Sequence, residues 1–187
     1  MMKVVSCFAV VVILAAPLAG SGSADTQTDG QRGVPEGIFP PLTATNLAGQ
    51  TLSLPGDFAG KRNLLLIAFE REQQKNVDTW LHQMKRFESI PGFRYYELPT
   101  IDKLNPLVRW FINNGMRRGI PDQQARARTI TLYLDKAPFI KALNIPDEKQ
   151  ICAVLIDNSG RVLWRAVGDF DGAKAASLQD ALARGQQ

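Results

Sequence analysis

Few side chains in this sequence can do chemistry unaided. The chain carries two cysteines, Cys7 and Cys152, and one histidine, His82. Cys7 lies inside an apolar run at the amino terminus, which leaves Cys152 as the one thiol expected in a folded domain. A lone thiol forms no intramolecular disulfide. It could work as a single-cysteine redox group with an external thiol, or simply pack as a small hydrophobe on a central strand. A single histidine excludes a histidine-rich metal site, and no nucleophile-elbow sequence accompanies it for a Ser-His-Asp set. Neither a metal nor a cofactor is expected, and no catalytic residue is assigned.

The remaining candidates are charged or amide groups that recognise rather than react. Glu70, Arg71, Glu72, Gln73 and Gln74 form one polar stretch just before a helical pattern. A carboxylate near a helix amino terminus is stabilised as the anion, so Glu72 is expected ionised rather than poised as an acid. The stretch reads either as a recognition loop or as a solvated cap on that helix. Arg117, Arg118, Arg126 and Arg128 crowd a second window. Four guanidiniums there could hold a carboxylate, a phosphate or an acidic partner through bidentate bonds. They could equally pair with Glu70, Glu72, Asp122 and Asp135. A protein partner or a small anion is the expected occupant.

These residues need elements to position them. Thr43 to Leu54 alternates about Asn46-Leu47-Ala48-Gly49-Gln50 and predicts a hairpin. Leu64 to Phe69 is an apolar run of the kind found in strands covered on both faces. Val77, Trp80, Leu81, Met84 and Phe87 then recur at helical spacing. Phe93 to Leu98 predicts a strand. Asn105 before Pro106 starts a helix through Leu107, Val108, Phe111 and Ile112, with Gly115 as its stop and Trp110 at the core or its edge. Residues 115–127 read as a basic connection. Thr129 to Leu134 is a strand, and Asp135 caps a short helix. Ile151 to Ile156 and Val162 to Val167 form a hairpin about Asp157-Asn158-Ser159-Gly160, and Asp171 caps a last helix. Alternating elements with a closing hairpin define an α/β sandwich with a mixed sheet.

The amino terminus reads as an address. Lys3 precedes the apolar run Val4 to Ala16, Pro17 ends it, and small residues follow to Ala24. The run is shorter than the roughly 20 apolar residues that a membrane-spanning helix needs. Residues 1–24 are expected to be a signal peptide, with a cut after Ala24 or, alternatively, after Ala19. A periplasmic or secreted protein without stable membrane insertion follows. Residues 25–38 lack apolar periodicity and predict a flexible leader, and 39–187 form one domain. The formal net charge is +4 with 21 % charged residues, and aromatic residues do not interleave with the basic ones, which argues against nucleic-acid binding.

Three stretches carry a resemblance. They are Asn46 to Leu54, Asp57-Phe58-Ala59-Gly60-Lys61 with the apolar run after it, and Ala153 to Val162. Together they resemble the amino-terminal hairpin, first core strand and carboxy-terminal hairpin of the extracytoplasmic thioredoxin-like superfamily, in its peroxiredoxin and thiol-disulfide reductase branch. The resemblance implies a three-layer thioredoxin-like sandwich with an amino-terminal β-hairpin. It also implies a Cys-x-x-Cys pair at the helix start, where the dipole lowers a thiol pKa. Those two positions fall near Glu72 and Lys75, so the chain lacks the thiols of the family. The family's cis-proline neighbourhood falls at Ile151-Cys152, which would bring Cys152 near the ancestral site. Val162-Leu163-Trp164 gives a weaker similarity to thioredoxin-like mitochondrial ATP-synthase assembly factors. A non-redox binding or assembly module is the reading that results.

Overall fold

The computed structural model describes residues 37–184. The expected signal peptide, and the leader as far as residue 36, lie outside the described residues. Gly37 and Ile38, placed in the leader from sequence, are fixed to the domain. The Ile38 N–H donates to the Ala142 carbonyl at 3.0 Å, and the Val162 N–H donates to the Gly37 carbonyl at 3.0 Å.

The hairpin β1 (Leu42–Asn46) and β2 (Thr51–Leu54) forms as its alternation predicts, with the Asn46 carboxamide accepting from the Gln50 N–H across the turn. The fully covered strand β3 (Arg62–Ala68) feeds a single 3-10 turn, Arg71–Gln73, and then α1 (Gln74–Met84). The chain returns as β4 (Phe93–Asp102), parallel to β3 and longer than its apolar alternation suggested. Next come α2 (Pro106–Gly119), α3 (Gln123–Arg128) and β5 (Ile130–Leu134), which is parallel to β4. The short α4 (Lys136–Ala142) crosses to β6 (Cys152–Asp157), antiparallel to β3, followed by β7 (Val162–Val167) and α5 (Gly172–Ala183). The seven strands lie in the order β2-β1-β5-β4-β3-β6-β7.

Strand periodicity sorts the core into two layers. Leu65 and Ile67 of β3 join Cys152, Val154 and Ile156 of β6 against Phe139 and Leu143 from α4 and the residue after it. Leu64 and Leu66 join Ala153 and Leu155 against Val77, Trp80 and Met84 of α1 and Leu178 and Leu182 of α5. The helix α2 rests on β5 through the bond from the Tyr133 hydroxyl to the Asn113 side-chain Oδ1 at 2.9 Å and a Thr131–Met116 contact. A mixed sheet sits between helical layers, the three-layer architecture expected.

Local chemistry accounts for most boundaries. The side chains of Asn105, Asp122, Asp135 and Asp171 each accept from backbone N–H groups in the first turn of the helix that follows. The turn before β7 needs glycine at position 160: its φ is +87°, and a Cβ there would lie 2.9 Å from Pro55 and 3.1 Å from the Phe39 carbonyl oxygen.

Three expectations on the α2–α3 region are corrected. The helix after Asn105 does not stop at Gly115 but runs to Gly119, and most of the expected basic connection is helical. Glycine inside a helix costs only about 1 kcal/mol against alanine. Met116 on Thr131 and the Arg117 Nε–H bond to the Leu47 carbonyl at 2.8 Å hold the helix beyond that point. Trp110 is not at the core or its edge; it is 59 % exposed, beside Leu107 and Phe111 on the outward side of α2.

Candidate binding cleft

The loop after β3 is where sequence reasoning put both the missing thiols and a recognition surface. Its five residues divide. Gln73 is buried: its Oε1 accepts from the Phe69 N–H at 2.8 Å and its Nε2 donates to the Glu148 carbonyl at 2.7 Å. It braces the helix start rather than facing solvent. Glu70, Arg71, Glu72 and Gln74 are exposed. Glu72 lies in the 3-10 turn and Lys75 in the first turn of α1, so no sulfur stands at that helix start.

Cys152 pairs with Ile67 in the β6–β3 ladder, level with the end of β3. Its side chain nevertheless turns into the layer beneath α4, away from α1, and is fully buried. Burial pushes its pKa up to about 12, against a smaller opposing pull from Arg165. The thiol is therefore neutral and sealed.

The arginine window does not make one surface. Arg117 is spent on the Leu47 carbonyl at the hairpin turn. Arg126 donates to the Ile120 and Arg117 carbonyls at 2.6 and 2.8 Å, closing the end of α2 onto α3. Arg128 lies over the Tyr95 ring at 4.5 Å and pairs with Glu88 at 3.7 Å. Arg118 alone is exposed. Pairing with Glu70, Glu72, Asp122 and Asp135 does not occur either; the two aspartates cap α3 and α4 instead. His82 is exposed on α1, and no cluster of potential metal ligands occurs among the described residues.

The structure opens a cleft beside these candidates, of about 1040 Å³ between α1 and the α2–α3 pair, with β4 along its floor. Leu81, Phe111, Ile112, Met116 and Ile120 give it apolar walls, and Glu70, Arg71, Asp78 and Asp122 stand among its polar lining. Glu97 lies at the floor with only 9 % exposure. Its two hydrogen bonds are long: Thr129 Oγ1 donates at 3.4 Å and Gln74 Nε2 at 3.5 Å. Burial raises the Glu97 pKa, the Gln74 bond opposes this, and the nearby Asp78 charge adds to it. The same Gln74 nitrogen donates to the Asp78 carboxylate at 3.0 Å, so one amide spans both acids.

Of the residues singled out from sequence, Glu70, Arg71 and Gln74 line this cleft, and Glu97 was not among them. The available signal was a carboxylate within the otherwise apolar run of β4.

A hairpin, a β-α-β core and a returning carboxy-terminal hairpin on one mixed sheet define a thioredoxin-like α/β fold. Solved structures share it. A putative electron transport protein from Aquifex aeolicus aligns with a TM-score of 0.57 at 10 % identity, over 82 % of this chain and 100 % of that one. BsSco, a Sco-family cytochrome c oxidase assembly protein with a disulfide switch, aligns at 0.54 and 14 % identity, over 81 % and 95 %. The pneumococcal exposed lipoprotein thioredoxin of Streptococcus pneumoniae aligns at 0.50 and 14 % identity, over 76 % and 98 %. At these identities the likeness shows the fold. No protein-family model and no curated protein matches the chain.

Proposed function

We propose that the protein is an exported binding or assembly module that uses a thioredoxin-like fold without thiol chemistry. One observation carries the reading. The 3-10 turn and the first turn of α1 carry Glu72 and Lys75, near which the resemblance would put a reductase's thiols, while Cys152 is sealed on the opposite side of the sheet. The cleft offers an apolar surface in place of a reactive sulfur, and Phe111 extends it toward the exposed Leu107 and Trp110. Such patches on exposed surfaces mark sites of association. The recognition surface therefore narrows from the two sequence windows to Glu70, Arg71 and Gln74 at the cleft, together with the inner side of α2.

The apolar run at residues 4–16 supports export. Two of the fold's relatives, an exposed lipoprotein and an oxidase assembly protein, make an assembly role outside the cytoplasm consistent with the architecture.

A disulfide-reduction assay with an external thiol tests the thiol-free reading. Wild type and Cys152→Ala should be equally inactive, and activity that disappears in Cys152→Ala would overturn it. Mass spectrometry of the exported fraction should find an amino terminus near Asp25, and a chain retaining Met1 in the cytoplasm would overturn export.

A further inference from the structure

The cleft has a charge as well as a shape. Its lining carries four carboxylates, Glu70, Asp78, Glu97 and Asp122, against one guanidinium, Arg71. That local balance opposes the chain as a whole, whose formal charge is +4. A net-basic protein thus concentrates negative charge in an apolar depression. Glu97 and Asp78 stand within reach of the single Gln74 nitrogen, so one small donor group can touch both. The buried Glu97 carboxyl accepts two long bonds, with the Arg128 charge nearby, and is short of strong donors. Around it the surfaces are hydrocarbon: Leu81 on α1, and Ile112 and Met116 on α2.

We propose that the cleft receives an apolar segment of a partner protein bearing one lysine or arginine, whose cation displaces the Gln74 amide from between Asp78 and Glu97. The proposal rests on the binding-module reading above and names the partner's chemistry. Apolar neighbours of the cation would cover Leu81, Ile112 and Met116, and Phe111, 65 % exposed, would close over the segment from the mouth. The cation would supply the charge-assisted hydrogen bonds that Glu97 lacks. Within the walled cleft its attraction to two carboxylates is screened less than at an open surface. The acidic lining also discriminates: a glutamate at the same position of the segment would meet like charges at the floor.

Isothermal titration of the whole protein with three capped peptides tests this. They share leucine and phenylalanine flanks and differ only at the central residue, which is lysine, norleucine or glutamate. The lysine peptide should bind at least tenfold more tightly than the norleucine peptide, with the glutamate peptide weaker again. Glu97→Gln should remove most of the lysine preference, and Asp78→Asn, at a partly exposed position on α1, should reduce it without touching the floor. Raising the salt concentration should weaken the lysine peptide and leave the norleucine peptide unchanged. Equal binding of lysine and norleucine peptides, unaltered by either variant, overturns the cation seat but leaves the cleft as a binding site. Failure of all three peptides to bind wild type at millimolar concentration overturns the seat and removes the support for the cleft itself.

Discussion

The carboxamide of Gln73 reaches from the start of α1 to the carbonyl of Glu148, donating at 2.7 Å, while its oxygen accepts from the Phe69 N–H at 2.8 Å. One side chain thereby ties the loop after β3 to the loop before β6. Both bonds are largely screened from water, so truncation strands a donor and an acceptor. Gln73→Ala should lower unfolding free energy by about 1–3 kcal/mol. Urea denaturation measures this, and a change near zero would mean that water takes over both partners.

Cys152 should behave as a hydrophobe. In a Cys7→Ser background, the folded protein should leave Ellman's reagent unreacted at pH 8 and release one equivalent in denaturant. The linkage has a definite sign. The folded pKa of about 12 exceeds the ordinary 9.0. Below pH 9 both states keep the proton and the contribution to stability is whole. Between about pH 9 and 12 the unfolded chain ionises first, and stability falls by about 1.4 kcal/mol per pH unit. Cys152→Ala should remove that alkaline slope.

Glu97 sets a second pH dependence, at the acid end. Its folded pKa is raised by burial, with Gln74, Thr129 and the Arg128 charge opposing and Asp78 reinforcing. The folded state therefore holds the proton to higher pH than the unfolded chain does. This contribution is whole below the ordinary carboxyl value and is lost as pH rises through the folded one. Glu97→Gln should flatten the curve in that window and leave the protein at least as stable as wild type at pH 7. Thermal melts from pH 4 to 8 show the difference; parallel curves would contradict it.

The tryptophans should separate by position. Trp80 is fully buried, donates its indole N–H to the Gly168 carbonyl at 3.0 Å, and packs edge-on against Phe170. Trp80→Ala should cost about 3–5 kcal/mol. Trp110→Ala on the exposed side of α2 should change stability by less than about 0.5 kcal/mol. Comparable losses from the two in chemical denaturation would contradict the exposure assigned to α2.

The sequence was most legible where one physical signal dominated. The apolar runs Leu64–Ile67 and Ala153–Ile156 could only be covered strands, and Asn105 before Pro106 marked a helix start that the Val108 N–H bond realises. It was least legible where tertiary contact outvoted local preference. Gly115 reads as a stop, yet contacts at Met116 and Arg117 continue the helix. Trp110 read as core or core edge, but α2 meets β5 through Asn113 and Met116 and turns it outward. The arginines looked like one cluster because they are near in sequence; their carbonyl and ring partners lie in different elements. Glu97 was hidden for the opposite reason. The groups around it come from α1, α2 and the end of α3, which are far from it in sequence.

The short strap at Gly37 and Ile38 has a consequence for how copies of the protein meet. The sheet ends at β2 on one side and β7 on the other. An unpaired strand edge is a template for joining another chain. At the β2 rim only four residues are offered, and Pro55 follows them. At the β7 rim, Ile38 bridges Arg161 and Gly37 takes the Val162 N–H, so the opening of that edge is already occupied. Shortening the domain at Phe39, where periodicity alone would have begun it, would strip this guard and turn the start of β7 into a site of edge-to-edge aggregation.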